Sequence, residues 1–251
     1  MPVTIKSARE IALMTEAGRI LEIVLDELEK ALRPGISTKE IDRLGEEIIR
    51  SYDCIPSFLN YNGYPASICV SVNDEVVHGI PNNKRVLHDG DIVSLDAGVI
   101  YQGYHSDAAR TYGVGNISDA ASELIRATKE SFFEGIKYAR EGNYLFEISA
   151  AIDKYISAKG YGIVRDLCGH GIGRHLHEAP EIPNFAQKRK GLKLQAGMTL
   201  AIEPMINMGT YEVNWLDDDW TVVTKDGSLS AHYENTVLIT NSDPVLLTLS
   251  K

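Results

Sequence analysis

Two amphipathic helices are predicted in the first fifty residues. After Ser7, apolar residues recur at three- and four-residue steps, the spacing that places them on one face of a helix. Ser7 and Glu10 have the spacing of a capping box at the start of this helix, and Arg33-Pro34-Gly35 ends it. Ser37 and Glu40 repeat that spacing, so the second helix is expected to begin there. The apolar positions of the first helix are Ile11, Met14, Ala17, Leu21, Val24 and Leu28.

Strand-like segments follow, and the order of elements then repeats. Strands are predicted at residues 68–72, 92–99 and 108–114, which are short, mostly apolar and bounded by turn residues. Helical periodicity returns over 124–136 and again over 145–155. The chain therefore contains the order helix, helix, strands twice.

Local matches at a constant spacing indicate an internal duplication. Gly35 and Gly142 each follow a helix and lie 107 positions apart, and Gly90 and Gly197 have the same spacing. Chance similarity between two runs of helices and strands would give matches at unrelated spacings. Matches that share one spacing therefore favour duplication. We predict an α+β fold of two pseudo-symmetric helix-helix-strand halves, about residues 1–115 and 116–251, within a single domain over 1–251.

Charge and composition narrow the classes of protein. The 251 residues include 25 Lys and Arg against 35 Asp and Glu, a formal charge of -10. Such a chain repels nucleic-acid phosphates, which argues against a dedicated DNA- or RNA-binding protein. The three cysteines include no C-x-x-C pair, and no stretch approaches the ~18 apolar residues of a membrane span. We expect no DNA partner, no membrane association and a location in the reducing cytoplasm.

Four carboxylates and one histidine suggest a metal site. Asp96 lies in the predicted strand 92–99, Asp107 directly precedes strand 108–114, and Glu203 and Glu234 occupy apolar segments of the second half. One such carboxylate is usually solvated or paired in a salt bridge. Four that converge near a pseudo-twofold axis require cations for compensation. His170, expected in a glycine-flanked turn, adds one nitrogen, and this donor set suits manganese, iron, cobalt or zinc.

Five motifs carry a family resemblance over nearly the whole chain. They are N-x-x-x-x-H-G-I-P at 73–81, Asp96 with Asp107, G-H-G-I-G-x-x-x-H-E-x-P at 169–180, A-I-E-P at 201–204 and E-N-T-V at 234–237. On these motifs the sequence resembles the short, type I methionine aminopeptidases of bacteria, a family of pita-bread metallopeptidases. The resemblance implies a single catalytic domain in which two halves surround a central antiparallel sheet. It implies a monomeric enzyme that removes the initiator methionine from nascent polypeptides whose second residue is small.

The resemblance also implies a role for each residue of the site. Two divalent ions (Co, Mn, Fe or Zn) would be held by Asp96, Asp107, His170, Glu203 and Glu234, with Asp107 and Glu234 bridging them. Glu203 would also shuttle a proton, His177 would hydrogen-bond the developing oxyanion, and His78 would hydrogen-bond the peptide nitrogen. The substrate pocket would be lined by Phe58, Tyr61, Tyr64, Cys69, Leu176 and Trp220, with His78 and His177 at the scissile bond.

Three positions depart from the family pattern near this pocket. Gly98 stands where some members carry Thr, Phe58 where some have a smaller residue, and Leu176 where many have an aromatic one. The pocket and the water contacts at one metal are therefore expected to be altered.

Other interpretations stay open. A proline-specific enzyme of the same fold is suggested by Asp96-Ala97-Gly98, Ser106-Asp107 and Arg110-Thr111, although such enzymes usually carry a large extra N-terminal domain. A metal-free binding protein of this fold is the alternative outside the enzymes, but such proteins lose ligands and this chain keeps all five. The basic cluster Lys188, Arg189, Lys190 and Lys193 is interpreted as a solvated turn or as a weak contact with the ribosome.

Overall fold

The computed structural model describes residues 3–249, so the outermost residues of the predicted domain lie outside the described part. Within that part, two pairs of consecutive helices alternate with β-structure. The helices are α1 (Ala8–Ala31), α2 (Thr38–Ser51), α3 (Asp119–Ile136) and α4 (Leu145–Ser157), and Tyr61–Gly63 form a single 3-10 turn.

The helix starts follow from local capping chemistry. The Ser7 side chain accepts the Glu10 backbone N–H while Glu10 accepts the Ser7 backbone N–H, which confirms the predicted capping box. Ser37 and Glu40 form the same arrangement at α2. Each box satisfies two N–H groups that the first helical turn leaves without partners.

The strands are short, and every pairing between them is antiparallel. In the described part of the chain they are β1 (Ile55–Pro56), β2 (Ile68–Val72), β3 (Glu75–Val77), β4 (Ile92–Tyr101), β5 (Tyr104–Gly113), β6 (Gly162–Ile163), β7 (Gly169–Gly171), β8 (Glu178–Ile182), β9 (Thr199–Ile202), β10 (Met205–Asn207), β11 (Val213–Trp215), β12 (Val222–Thr224), β13 (Ser230–His232), β14 (Asn235–Leu238) and β15 (Val245–Leu246).

Two larger sheets and two smaller ones result from this pairing. In the first half, β4 pairs with β5 along one edge and with β1 and β2 along the other. In the second half the order is β15-β14-β9-β7-β8. The three-stranded sheets β13-β10-β6 and β11-β12-β3 complete the β-structure of the described residues.

Each helix pair covers one of the two larger sheets. Leu28 of α1 and Ile41 of α2 are fully buried in one cluster with Leu95 of β4. Ile148 of α4 is fully buried in a second cluster with Val237 of β14. Burial of these apolar faces is the main stabilising contribution and fixes each sheet against its helices.

The spacing of 107 residues recurs in the backbone hydrogen bonds. The Gly35 N–H donates to the Leu87 carbonyl (2.8 Å), and the Gly142 N–H donates to the Leu194 carbonyl (3.0 Å). Both glycines have positive φ, 92° and 91°, a conformation that strains residues with a side chain. Equivalent residues in the two halves therefore make equivalent contacts.

Two local predictions were wrong. Strand β5 begins at Tyr104 rather than residue 108, because Gln102 and Gly103 (φ 48° and 82°) close a two-residue hairpin that pairs Tyr104 with Tyr101. Asp107 therefore lies inside a strand. His170 lies in β7 rather than in a turn, since it pairs with Ala201 of β9. Among the described residues, no helix combines the length and apolar character needed to cross a bilayer.

Candidate metal centre and substrate pocket

Two of the five predicted metal ligands come from the hairpin β4–β5. Asp96 is paired with Ala109, and Asp107 with Gly98. Because side chains alternate along a strand and Asp96 is two residues from Gly98, the two carboxylates lie on one face of the hairpin. Both side chains are buried, with 8% and 4% of each residue exposed.

The other three predicted ligands come from the second large sheet and its adjoining residues. His170 of β7 is paired with Ala201 of β9, and Glu203 lies two positions after Ala201, just beyond the end of β9. Glu234 precedes β14, whose Asn235 is paired with Ile202. The antiparallel register thus brings His170, Glu203 and Glu234 to neighbouring positions.

Hydrogen bonds between β5 and the β14 region join the two halves at these ligands. The Glu234 backbone N–H donates to the Ala109 carbonyl at 2.9 Å. The Asp107 backbone N–H donates to the Thr236 hydroxyl at 3.0 Å, and that hydroxyl donates to the Asp107 carbonyl at 2.9 Å. Arg110 adds a bond from its guanidinium to the Glu234 carbonyl. Acids from opposite halves therefore face each other.

The donor atoms are close enough to share ions. Ligand atoms of Asp107, His170 and Glu234 all lie within 4.8 Å of one another. His170 Nε2 is 3.8 Å from Asp107 Oδ2 and 3.6 Å from Glu203 Oε1. The geometry gathers the predicted donors into a single cluster at the junction of the halves.

The electrostatics of the cluster indicate that cations belong in it. Burial raises the pKa of Asp96 to about 7, and burial together with neighbouring carboxylates raises the pKa of Asp107, Glu203 and Glu234 well above the usual range. Burial also lowers the pKa of His170 to about 3, so its imidazole is neutral and can act as a ligand.

Several carboxylate oxygens of the cluster have no hydrogen-bond partner. Within the described residues, Asp96 Oδ1, Asp107 Oδ1 and Glu234 Oε1 are buried and unpartnered. A buried polar atom without a partner costs roughly 1–3 kcal/mol, which a bound cation would remove. Oxygen-rich donors with one imidazole fit a divalent transition metal or zinc.

A cavity of about 170 Å³ opens beside the cluster. All the residues predicted for the metal site and for the substrate pocket line it, and so does Asn62, which the sequence analysis did not name as a site residue. The Tyr64 and Trp220 rings meet edge to face at 5.1 Å, and the His78 and Trp220 rings are 6.1 Å apart. The predicted lining residues and the metal donors therefore share a single space.

A family model gives the decisive comparison. The model for metallopeptidase family M24 matches residues 12–241, more than half of the chain. The chain belongs to this family.

Named relatives agree with this membership. The chain is 54% identical over 247 residues to a methionine aminopeptidase of Clostridium acetobutylicum, covering 98% of this chain and 99% of the relative. Solved methionine aminopeptidases from Thermotoga maritima and Rickettsia prowazekii superpose with TM-scores of 0.97 each, at 42% and 38% identity. Each comparison covers 99% of this chain and 100% of the other. The predicted pita-bread fold and the predicted use of divalent metal are thereby confirmed.

Gly98 lies against Ser57 and Phe58 in this M24 chain. A Cβ atom at Gly98 would lie 2.6 Å from the Ser57 Cβ and 3.0 Å from a ring carbon of Phe58, closer than ordinary contacts. The Ser57 side chain and the edge of the Phe58 ring therefore occupy the space that a side chain at position 98 would need. Leu176 is 2% exposed and packs in the same cluster as Phe58.

His232 is a further buried residue beside the predicted metal donors, and no sequence motif marks it. This residue is 2% exposed, its Nε2 lies 3.9 Å from Glu203 Oε2, and both ring nitrogens are buried without a partner among the described residues. Burial lowers its pKa to about 3. His232 ends β13 and Glu234 lies between β13 and β14, so no strand periodicity links the two residues in the sequence.

The basic cluster lies outside the metal centre. Its four side chains are exposed, and none of them lines the cavity. The Lys190 ammonium stacks over the Tyr144 ring at 5.1 Å. The cluster is therefore a surface feature of the second half.

Proposed function

We propose that this M24 metallopeptidase removes the N-terminal methionine from polypeptides whose second residue is small. The observation that carries the proposal is the convergence of five metal donors from both halves on one cavity that also contains the predicted methionine pocket. Relatives named methionine aminopeptidase that match nearly the full chain support the assignment of substrate.

Two divalent ions per chain are proposed, and Asp96, Asp107, His170, Glu203 and Glu234 would hold them. Four ionised carboxylates carry four negative charges, which two divalent cations balance. Each cation would be shared by donors from both halves, because Asp96 and Asp107 belong to the first half and His170, Glu203 and Glu234 to the second. The metal is expected to be Co, Mn, Fe or Zn from the mixed oxygen and nitrogen donors.

When bound, the ions act as Lewis acids that polarise the scissile carbonyl and activate water. Glu203 is proposed to accept the proton from the attacking water and to pass it to the leaving amine, because its carboxylate lines the cavity that would hold the substrate.

Two histidines are proposed to act at the scissile bond. His177 donates a hydrogen bond to the carbonyl oxygen as negative charge develops there, which stabilises the transition state more than the substrate. His78 hydrogen-bonds the peptide nitrogen. Burial lowers the pKa of His78 to about 4, so it is neutral and has one N–H to donate and one nitrogen to accept.

Specificity is proposed to come from the apolar wall of the cavity. This wall is largely aromatic, and aromatic rings make favourable contacts with the thioether of an unbranched methionine side chain. It is formed by Phe58, Tyr61, Tyr64, Cys69, Leu176 and Trp220. A peptide panel tests this specificity on reconstituted protein. Met-Ala-Ser should be cleaved, whereas Met-Leu-Ser should be cleaved at least 100-fold more slowly. Preferential cleavage of Ala-Pro would favour a proline-specific enzyme instead.

A weak ribosome contact is proposed for the basic cluster, because the substrates are nascent chains. Reversal of the charges at Lys188, Arg189, Lys190 and Lys193 should lower co-sedimentation with ribosomes at low salt, since contacts with RNA phosphates are strongly salt-dependent. Unchanged co-sedimentation would mean that the basic cluster is a solvated turn without a ribosome contact. A cytoplasmic location is also proposed, because nascent chains are the proposed substrates, and gel filtration would test the expected monomer.

A further inference from the structure

The rim of the cavity contains a hydrogen bond between two of the residues that line it. Tyr61 Oη lies 2.7 Å from His177 Nδ1, and the two ring centroids are 5.3 Å apart. The His177 ring also lies against His170, with ring centroids 4.2 Å apart. Within residues 3–249, His177 Nε2 has no hydrogen-bond partner, so this nitrogen is available to a molecule in the cavity.

Chemistry favours one direction for this hydrogen bond. A neutral imidazole carries a proton on only one of its two nitrogens. A phenol O–H is a much stronger acid than the N–H of a neutral imidazole, so it is the better hydrogen-bond donor. The Tyr61 hydroxyl therefore donates and His177 Nδ1 accepts, which leaves the proton on Nε2.

We infer that the Tyr61 hydroxyl fixes the tautomer of His177, so that Nε2–H is held ready as a hydrogen-bond donor. The inference rests on the proposed function, in which His177 donates to the developing oxyanion. The other tautomer would present a lone pair to that oxygen and would repel it. A partner on one ring nitrogen commonly sets the role of the other in this way. Tyr61 is thus a positioning residue through its hydroxyl, in addition to lining the pocket with its ring.

The substitution Tyr61→Phe separates these two roles, because it keeps the ring and removes only the hydroxyl. With Met-Ala-Ser as substrate, kcat should fall roughly threefold to tenfold, the effect expected for one hydrogen bond, while KM stays within about twofold. Tyr138→Phe removes the hydroxyl of a tyrosine that is 44% exposed and lies outside the cavity. This control should leave kcat unchanged.

A double-mutant cycle tests whether the hydroxyl acts through His177. In a His177→Ala background, Tyr61→Phe should change kcat by less than twofold, because no imidazole is left to orient. An equal loss in both backgrounds would show that the hydroxyl contacts the substrate directly and would overturn the inference. An unchanged kcat for Tyr61→Phe in the wild-type background would also overturn it.

The tautomer can be measured without any turnover. In zinc-loaded protein with ¹⁵N-labelled histidine, the His177 signals are those absent from the His177→Ala spectrum. Nε2 should show the shift of a protonated nitrogen and Nδ1 that of an unprotonated one, and Tyr61→Phe should move both shifts towards average values. Protonated Nδ1 in the wild type would contradict the inference. If wild-type protein cleaves no Met-Ala-Ser, the proposed function fails, yet this spectrum still decides the tautomer.

Discussion

Replacing Asp96 by Asn should stabilise the metal-free protein at alkaline pH. Burial raises the pKa of Asp96 from 3.8 to about 7. Between these pH values the unfolded chain has released a proton that the folded chain still holds, so the free energy of unfolding falls as the pH rises. The total loss is about 4 kcal/mol above pH 7, because one pKa unit corresponds to roughly 1.4 kcal/mol. The D96N protein lacks this loss.

Urea unfolding of chelator-treated protein at pH 5 and pH 8 measures the effect. The free energy of unfolding of D96N minus that of wild type should be roughly 3 kcal/mol larger at pH 8 than at pH 5. Any cost of the amide that does not depend on pH is the same at both pH values and therefore cancels. Asp217→Asn, at an exposed carboxylate, is the control and should give no such increase. With divalent metal added, wild type should gain more stability than D96N. A D96N difference that does not vary with pH would refute the reasoning.

Three further substitutions, with Arg19→Met as a control for the third, test a metal ligand, a catalytic residue and a buried ion pair. Asp107→Ala should abolish metal binding and nearly all turnover with unchanged circular dichroism, and activity within about tenfold of wild type would exclude a bridging role. His177→Ala should keep its metal, measured by elemental analysis, but lose turnover by ~10²–10³-fold, whereas loss of metal would make it a ligand. Lys6→Met breaks a buried 2.7 Å pair with Glu178 and should cost about 3–5 kcal/mol in urea unfolding. Arg19→Met, at an exposed pair, should cost at most about 1 kcal/mol, and equal losses would contradict the role of burial.

Local chemistry made much of the fold predictable. Ser7 with Glu10 and Ser37 with Glu40 mark their helix starts because a capping box depends on residues only three positions apart. The spacing of 107 residues is equally visible, since the glycine at the end of each first helix needs a positive φ that other residues adopt at a cost.

Contacts between distant segments explain what the sequence left undetermined. His170 was expected in a turn because of its flanking glycines, but pairing with Ala201 extends that segment into a strand. Polar Ser106 and Asp107 hid the start of β5, which is set by pairing with β4. His232 gave no metal-ligand motif, and only the fold brings it 3.9 Å from Glu203.

Methionine release from Met-Ala-Ser by metal-stripped protein, titrated with Mn²⁺ or Co²⁺, is the most direct measurement of the proposed activity. The stripped protein should release no methionine, and activity should return as metal is added, with up to two ions bound per chain. The Asp107→Ala protein should stay inactive throughout the titration. Methionine release by fully stripped protein, or an intact peptide after full loading with either metal, would contradict metal-dependent removal of methionine at this centre.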